Sequence, residues 1–134
     1  MASTTFLLYG ANGYTGRLIT DLAAAYGLKP ILAGRNEKNI RQMADKYSLD
    51  YRIFDLSEHT KLIDALNEVP LVLNAAGPFR YTAEQMSEAC LQTKTHYIDI
   101  TGEIEVFEML KSKDQAAKQA GIVLLPGAGF DVVL

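Results

Sequence analysis

The stretch Gly10-Ala11-Asn12-Gly13-Tyr14-Thr15-Gly16 decides the fold, because three glycines join a short apolar run to an amphipathic one. Residues 6–9 have the apolar character of a buried strand, and residues 17–26 have the spacing of a helix. In such a unit the first glycine permits a tight turn, the second lets the backbone approach a diphosphate, and the third lets the helix pack closely on the strand. The stretch therefore predicts a dinucleotide-binding loop, and the alternative is an ordinary turn between a strand and a helix.

The loop is expected to bind its anion with backbone groups rather than with charged side chains. Free N–H groups at a helix N-terminus, together with the positive end of the helix dipole, form a phosphate site. The spacing is GxxGxxG, and no Lys-Ser or Lys-Thr pair follows a glycine, which argues against the P-loop of nucleotide triphosphatases. The candidate cofactor-binding residues of the loop are Gly10, Asn12, Gly13, Tyr14, Thr15 and Gly16.

The composition fits one globular domain and excludes several kinds of partner. The 134 residues are 49% apolar, the net charge is −3, and the 13 basic residues are scattered, so we expect neither a nucleic-acid nor a membrane partner. The single cysteine, Cys90, cannot form an internal disulfide, and no His or Cys spacing predicts a metal site. The first residues lack the basic and apolar regions of a signal peptide, which favours a cytoplasmic protein.

Short apolar runs alternate with helical patterns along the chain. Strands are predicted at residues 5–9, 30–33, 51–54, 71–74, 96–100 and 122–125. Helices are predicted at 14–26, 36–47, 57–68, 82–91 and 103–120, with Asn36 as an N-cap and with Gly27 and Gly121 after helix ends. Because repeated strand-helix units need right-handed crossovers, the predicted fold is α/β: a doubly wound parallel sheet (Rossmann) of about six strands in the order 3-2-1-4-5-6, forming one domain over residues 1–134.

Arg35 follows the second predicted strand, at the edge of the sheet where such folds bind their ligands. It stands 19 residues beyond Gly16, where an NAD-binding domain usually carries the acid that binds the ribose 2′-hydroxyl. A guanidinium suits a 2′-phosphate, so NADP is the favoured cofactor, with Asn36 and Lys38 as helpers. Alternatively, Arg35 is a solvated residue before the next helix, and Glu37 keeps NAD as the weaker option.

The ends of the third and fourth strands supply further candidates. Asp55 is placed either to accept a hydrogen bond from the adenine amino group or to form a turn before Ser57. After the fourth strand, small residues leave room for the ribose and the diphosphate, and Phe79 and Tyr81 are expected to border the nicotinamide. The alternative is a simple turn at the end of a strand. The candidate cofactor-binding residues here are Asp55, Ala75, Ala76, Gly77, Pro78 and Phe79.

The fifth strand places Tyr97, Asp99 and Thr101 on one face. A carboxylate in a central parallel strand must be hydrogen bonded, so Asp99 is expected to anchor backbone N–H groups rather than to act as an acid or base. Glu103 is expected to stabilise the N-terminus of the last helix. No tyrosine has a lysine four residues later, so the catalytic pair of short-chain dehydrogenases is missing, and no catalytic residue is identified.

Five motifs together resemble the N-terminal NAD(P)-binding domain of the saccharopine dehydrogenase-like family, whose relatives include the trans-acting enoyl reductases. The motifs are Tyr9-Gly10-Ala11-Asn12-Gly13-Tyr14-Thr15-Gly16, Ala33-Gly34-Arg35, Asn74-Ala75-Ala76-Gly77-Pro78-Phe79, Tyr97-Ile98-Asp99-Ile100-Thr101-Gly102-Glu103 and Pro126-Gly127-Ala128-Gly129-Phe130-Asp131. The resemblance implies an oxidoreductase that moves a hydride between NADP(H) and a small-molecule substrate held by a second domain. Family members continue past Val133 with a proline, whereas Leu134 ends this chain, so a piece of a longer protein is expected.

Two functions stay open on this reading. The chain is either the NADP-binding half of an oxidoreductase, inactive in isolation, or a non-catalytic NADP-sensing or protein-interaction domain with the same fold. Apolar residues at 122–125, together with those at 130 and 132–134, also predict a homodimer through the sixth strand or the segment after it.

Overall fold

Six short strands form one parallel sheet in a computed structural model, which describes residues 5–128. Neighbouring strands follow the order β3-β2-β1-β4-β5-β6, and every pair of neighbours is parallel. The predicted fold class and strand order are therefore confirmed. The strands are β1 (Leu7–Tyr9), β2 (Ile31–Gly34), β3 (Tyr51–Ile53), β4 (Leu71–Asn74), β5 (His96–Asp99) and β6 (Leu124–Leu125).

The helices lie on both faces of the sheet, and none of those between residues 5 and 128 is long and apolar enough to cross a membrane. The predicted ends at Gly27 and Gly121 are confirmed, since both glycines have positive φ directly after a helix. The helices are α1 (Tyr14–Ala25), α2 (Glu37–Tyr47), α3 (His59–Asn67), α4 (Phe79–Thr93), α5 (Ile104–Ser112) and α6 (Asp114–Ala120).

The single helix predicted over residues 103–120 is wrong, because the chain breaks at Lys113 into α5 and α6. The sequence gives no local sign of this break: Val106, Leu110 and Ala117 keep one helical spacing, and all three are buried. Lys113 forms an ion pair with Glu88 of α4, which lies 25 residues away in the sequence. The break between α5 and α6 thus coincides with a tertiary contact, which the local sequence pattern does not reveal.

Helix α4 begins at Phe79, three residues before the predicted start at residue 82. Residues 75–81 were predicted to lie between the fourth strand and this helix. Pro78 instead occupies the N-cap position with extended backbone angles, which suits proline because its φ is fixed near the value found at the start of helices. The first turn of α4 therefore lies directly at the carboxyl end of β4.

The core consists of two clusters, one on each face of the sheet. One cluster joins β1 and β2 to α2 through Leu8, Leu32 and Ile40, with Ile19 of α1 packed against it. The other joins the opposite face to α3, α4, α5 and α6, and Tyr97 is its largest side chain with no exposure. Successive residues of a strand point to opposite faces, so β1, β2 and β4 each contribute to both clusters.

The face that carries α1 is less well covered beyond β1. Ile98 of β5 pairs in register with Leu73 of β4 and Leu125 of β6, so these residues form a row across the sheet. Ile98 and Leu73 are half-buried, whereas Leu125 is 46% exposed. On the same side, α1 exposes an apolar stripe at a spacing of four residues, formed by Tyr14, Leu18, Leu22 and Tyr26. The row and the stripe together are here called the open face.

Candidate functional site

A cleft of about 980 Å³ lies at the carboxyl ends of β1, β2, β3 and β4. This is where a doubly wound sheet reverses its strand order and binds its ligand. Every residue predicted to bind the cofactor lines the cleft except Gly16 and Phe79. The lining residues are Tyr9, Gly10, Asn12, Gly13, Tyr14, Thr15, Gly34, Arg35, Asn36, Asp55, Leu56, Ala75, Ala76, Gly77, Pro78, Tyr81, Thr82 and Gln85.

The three glycines of the loop differ in what an added Cβ atom would meet. Gly10 has a φ of +82°, and a Cβ there would lie 2.8 Å from the backbone nitrogen of Ala76. Gly16 lies inside α1, and a Cβ there would meet the carbonyl oxygen of Gly10 at 2.4 Å. A Cβ at Gly13 would lie 3.5 Å from the same oxygen, which is an ordinary contact. The fold therefore demands glycine at positions 10 and 16, whereas position 13 leaves space that a ligand can use.

The N-terminus of α1 opens into the cleft without a side-chain cap. Gly13 is the N-cap residue, and Tyr14 and Thr15 begin the first turn, whose N–H groups have no partners within the helix. Arg17 stabilises the loop, because its Nε donates a hydrogen bond to the carbonyl oxygen of Asn12 at 3.0 Å. Backbone donors and the helix dipole thus converge where a diphosphate is expected.

Arg35 and Asp55 form the end of the cleft beside β2 and β3. The Arg35 side chain is 76% exposed, and its Nη1 lies 3.8 Å from Asp55 Oδ2. Asp55 Oδ1 accepts a hydrogen bond from Ser57 N–H at 2.8 Å, so the predicted turn before Ser57 is present. That bond, together with the Ser57 side chain, holds the pKa of Asp55 below its ordinary value, and Arg35 adds to the effect. The second oxygen of Asp55 still faces the cleft, so both interpretations of this residue fit the geometry.

Asn36 has a structural task beside Arg35. Its side-chain oxygen accepts a hydrogen bond from Asn39 N–H at 3.0 Å, so the predicted N-cap of α2 is confirmed. The amide NH₂ of Asn36 is the part of the side chain left to donate to a ligand. Lys38, the other expected helper, is not one of the residues that line the cleft.

Phe79 does not take the position expected beside the nicotinamide. Its side chain is buried in the main core cluster as the first residue of α4, because the helix begins earlier than predicted. Tyr81, Thr82 and Gln85, on the first two turns of α4, line the cleft instead. Thr82 and Gln85 were not predicted; they lie on one face of α4 at a spacing of three.

A buried set of side chains lies behind the loop of residues 75–78. Asn74 Oδ1 accepts a hydrogen bond from Ala76 N–H at 3.1 Å, and Asn74 Nδ2 donates to Thr82 Oγ1 at 3.0 Å and to the Tyr97 hydroxyl at 3.1 Å. The Tyr97 hydroxyl donates to Asp99 Oδ2 at 2.6 Å. Burial, followed by the nearby Asp99 carboxylate, raises the pKa of Tyr97 above its ordinary value.

Asp99 anchors backbone N–H groups, as predicted. It is fully buried, and its Oδ1 accepts hydrogen bonds from Thr101 N–H at 3.1 Å and from Gly127 N–H at 2.9 Å. No buried side-chain nitrogen or oxygen among residues 5–128 lacks a hydrogen-bond partner. The segment after β6 is thereby held to β5. The last residues of the final predicted motif, Gly129, Phe130 and Asp131, lie outside the described residues.

Glu103 corrects another expectation. It occupies the N-cap position of α5, as expected, but its side chain makes no hydrogen bond there and instead caps α4. The two oxygens accept hydrogen bonds from Phe79 N–H at 2.8 Å and from Arg80 N–H at 3.2 Å. Glu103 lies 24 residues beyond Phe79, so sequence distance hid the pair. An unsatisfied helix N-terminus attracts a carboxylate from any element that comes near it.

Tyr9 also lines the cleft and was missed because it reads as the last apolar residue of β1. Its ring packs on Phe54 with centroids 5.3 Å apart, and its hydroxyl lies 3.5 Å from the carbonyl oxygen of Phe54. Burial, together with the charge of Asp55, raises the pKa of Tyr9 to about 12. Tyr9 therefore remains a neutral hydrogen-bonding group at physiological pH.

Comparisons with known proteins agree with this geometry. The family model described as Saccharopine dehydrogenase NADP binding domain matches residues 6–125. A Saccharopine dehydrogenase-like oxidoreductase of Mus musculus is 27% identical, over 95% of this chain and 34% of its own length. A Lipid droplet localized protein of Caenorhabditis elegans is 26% identical, over 99% of this chain and 34% of its own. A Trans-acting enoyl reductase of Mycobacterium leprae (strain TN) is 32% identical, over 95% and 32%. The chain thus spans about a third of the length of these relatives.

Among solved structures, the fold is similar to that of apo histidine-tagged saccharopine dehydrogenase (L-Glu forming) from Saccharomyces cerevisiae. The TM-score is 0.80 at 20% identity, and the match covers 95% of this chain and 27% of that one. The family model spans the glycine loop, Arg35 and the loop after β4, which all border the cleft. The chain therefore belongs to the saccharopine dehydrogenase-like family, as an NADP-binding domain of its oxidoreductases.

Proposed function

We propose that the cleft binds NADP(H) with its diphosphate on the N-terminus of α1 and its 2′-phosphate beside Arg35. The diphosphate interacts with the backbone of the glycine loop, and Gly13 gives it room to approach. The nicotinamide half then extends past Ala76 towards Tyr81 and Thr82. A cleft of about 980 Å³ is large enough for a ligand of this class.

The observation that carries this orientation is the position of Arg35. Its guanidinium is 76% exposed, so it is free to form the bidentate contact that guanidinium groups make with phosphate. Its nearest acid, Asp55, lies 3.8 Å away and is itself partly exposed, so the pair is weak enough to open for a ligand. The 2′-phosphate distinguishes NADPH from NADH at this place.

Titration of the chain with NADPH and with NADH, followed by calorimetry, tests the proposal. We expect NADPH to bind more tightly by about ten- to a hundredfold, which corresponds to one charge-assisted phosphate contact. Equal affinity for both cofactors would remove Arg35 from the 2′-phosphate site. Binding of neither would overturn the cofactor site as a whole.

We also propose that the chain is the cofactor-binding part of an enzyme that transfers hydride between NADP(H) and a small organic substrate. The cofactor supplies the hydride chemistry, and the protein orients it. Because this chain spans about a third of its relatives' length, the substrate pocket is assigned to a second domain, and ligand sites are common between domains. The isolated chain should bind NADPH without consuming it, whereas substrate-dependent consumption would place the catalytic groups within the chain. If a longer protein also binds NADPH without turnover, the non-catalytic alternative is favoured.

The predicted homodimer is the second part of the proposal, and the open face supports it. Leu125 is 46% exposed on the two-residue edge strand β6, and Leu22 is 59% exposed on the apolar stripe of α1. Exposed apolar patches of a few hundred Å² mark interfaces, and bare strand edges invite pairing. We propose that a second copy of this chain covers the open face in a two-fold arrangement.

Light scattering across a dilution series tests the dimer. Leu22→Glu places a charge on the stripe and should give a monomer with an unchanged melting temperature. Gln92→Glu adds the same charge at an exposed position of α4, on the other side of the sheet, and should leave the dimer intact. A wild-type chain that is monomeric at high concentration would contradict the proposed interface.

The cytoplasmic location stays a proposal. It is the location expected in the sequence analysis. The relative from Caenorhabditis elegans is named for the lipid droplet, so a droplet surface is the competing location. A fluorescent fusion observed together with a droplet stain distinguishes the two.

A further inference from the structure

We propose that Asn74, Tyr97 and Asp99 form a positioning relay that fixes the loop of residues 75–78 against the nicotinamide half of the cofactor. The relay rests on the proposed function, because it acts at the same cleft. None of the three side chains lines the cleft, so each acts through the backbone of the loop.

Asp99 sets the direction of the hydrogen bonds in the relay. Its two oxygens accept from two backbone N–H groups and from the Tyr97 hydroxyl, as an ionised carboxylate does. Because the Tyr97 hydroxyl donates its hydrogen bond to Asp99, the hydroxyl oxygen of Tyr97 is left to accept a hydrogen bond from Asn74 Nδ2. Asn74 must therefore direct its amide nitrogen towards Tyr97 and its amide oxygen elsewhere.

The amide oxygen of Asn74 is used on the cleft loop. It accepts a hydrogen bond from Ala76 N–H at 3.1 Å, while the second amide hydrogen goes to Thr82 Oγ1. Thr82 in turn donates to the carbonyl oxygen of Ala76 at 2.8 Å. The N–H and the carbonyl oxygen of Ala76 are thus hydrogen bonded to Asn74 and Thr82, and Asp99 orients these side chains through Tyr97.

Without the Tyr97 hydroxyl, one amide hydrogen of Asn74 would lose its acceptor in the core, and only Thr82 and Ala76 would still orient the amide. The Asn74 side chain would then shift to give that hydrogen a new acceptor, and its oxygen would move relative to Ala76 N–H. A conservative change at Tyr97, buried behind β4, is therefore transmitted to a residue that lines the cleft.

The loop at Ala76 lies on the nicotinamide side of the cleft. Arg35 and Asp55 follow β2 and β3, on one side of β1, whereas residues 75–78 follow β4 on the other side. With the 2′-phosphate at Arg35 and the diphosphate at α1, the rest of the cofactor must extend towards β4. The relay accordingly affects one half of the cofactor.

The relay also reaches the segment after β6. Gly127 N–H donates to Asp99 Oδ1, and Ala128 N–H donates to the backbone oxygen of Asp99 at 2.7 Å. One carboxylate thus holds both the chain that leaves the sheet and, through Tyr97 and Asn74, the loop under the cofactor. The relay joins these two segments across β4 and β5.

Two ligands used with the variant Tyr97→Phe test the relay. NADPH contacts both halves of the cleft, whereas adenosine 2′,5′-bisphosphate carries the adenine and the 2′-phosphate without the nicotinamide. Loss of the two buried hydrogen bonds of the Tyr97 hydroxyl should weaken NADPH by about tenfold. Binding of adenosine 2′,5′-bisphosphate should stay within about twofold of wild type, because Arg35 and α1 are unchanged.

Thr95→Val is the matched control. Thr95 precedes β5 at the opposite end of the strand, is buried, and donates a hydrogen bond to the carbonyl oxygen of Leu66 at 3.2 Å. The variant loses a buried hydrogen bond of the same kind and should melt at a lower temperature, yet bind both ligands as wild type does. Should Tyr97→Phe fail to fold, Asp99→Asn, which keeps the shape of a side chain that does not line the cleft, carries the same expectation.

The outcomes separate the relay from the site on which it depends. A folded Tyr97→Phe protein with unchanged NADPH affinity overturns the relay, as does equal weakening of both ligands. Wild-type protein that binds the two ligands equally well also overturns it, because the nicotinamide half then makes no net contribution, but it leaves the site at Arg35 standing. Wild-type protein that binds neither ligand overturns the proposed function itself.

Discussion

The two sides of the cleft are built from opposite kinds of interaction. Beside β2 and β3, Arg35 and Asp55 are exposed charged side chains whose closest atoms are 3.8 Å apart. Beside β4, Asn74 and Asp99 have no exposed surface, and the hydrogen bonds of their network lie between 2.6 and 3.1 Å. On the side of β2 and β3 the cleft presents solvated charged groups. On the side of β4 it presents a backbone loop that buried hydrogen bonds hold in place.

This difference indicates how each side can change. An exposed guanidinium can be replaced with little cost to the fold, because its hydration is nearly complete before binding. A buried amide or carboxylate cannot lose a partner without leaving a polar group unsatisfied in the core. In the proposed binding mode, cofactor choice is therefore adjustable at Arg35, whereas the position of the loop after β4 is tied to stability.

The largest expected effect concerns the glycine loop that both sides share. Gly13→Val should abolish binding of both cofactors, because the side chain would fill the space left for the diphosphate, while the melting temperature changes only modestly. Calorimetry and a thermal melt without ligand check both parts. Full affinity in a folded Gly13→Val protein would show that the loop is merely a turn.

Gly16→Val is the contrasting variant in the same loop. A Cβ there would meet two carbonyl oxygens, those of Gly10 and Ala11, at 2.4 and 2.6 Å, and both belong to the backbone. We expect a loss of about 3 kcal/mol or more in the free energy of unfolding. If both glycine variants behaved alike, the separation between a fold requirement at Gly16 and a ligand requirement at Gly13 would be wrong.

The next effect tests the charged side alone. Arg35→Ala should weaken NADPH by about ten- to a hundredfold and leave NADH nearly unchanged, because only NADPH carries the 2′-phosphate. Paired titrations measure the ratio. If both cofactors weakened equally, Arg35 would be acting on the adenine or on the fold rather than on the phosphate.

A smaller effect, of opposite sign, is expected at Asp55. Its second oxygen faces Arg35 and repels an incoming phosphate, so Asp55→Asn should tighten NADPH by about two- to threefold. The amide oxygen can still accept from Ser57 N–H, which preserves the turn. Weakening of NADPH and NADH by similar factors would instead favour the hydrogen bond from Asp55 to adenine.

The smallest expected effect concerns an ion pair outside both sides of the cleft, and it serves as a control for the cofactor-binding variants. A hydrogen bond from Arg52 holds the pKa of Glu68 below its ordinary value of 4.5. The ionised pair therefore stabilises the fold above that value, and this contribution is lost as the pH falls through the lowered pKa. Both side chains are partly exposed, so Glu68→Gln should reduce the acid dependence of unfolding between about pH 5 and pH 3 by less than about 1 kcal/mol. Denaturant unfolding at several pH values measures this, and affinity for either cofactor should not change.

The parts of this protein that follow from local chemistry could be predicted from the sequence. Strand order follows from alternating strands and helices, the bend at Gly10 from a glycine before a helix, and the cap at Asn36 from its place before an amphipathic run. Each depends on residues within a few positions of one another. Arg35 could be identified as well, because its distance from the glycine loop is fixed by the length of one strand-helix unit.

What the sequence did not reveal depends on contacts between distant segments. Glu103 caps α4 across 24 residues, and Asn74 meets Tyr97 across 23. The start of α4 was predicted three residues late, and the lining residues Thr82 and Gln85 were not predicted. Helical spacing gives neither the partner of a buried polar group nor the point at which tertiary contacts divide a helix.

The carboxylate of Glu103 occupies a helix N-terminus that could otherwise bind an anionic group of the cofactor. Two helices, α1 and α4, begin beside the cleft, and each offers an electropositive end to an anion. At α4 that end is already saturated by Glu103, which accepts from the N–H groups of Phe79 and Arg80. Of these two ends, the one at α1 has no side-chain cap. In the proposed binding mode, the internal carboxylate thus leaves the diphosphate one helix end on which to dock.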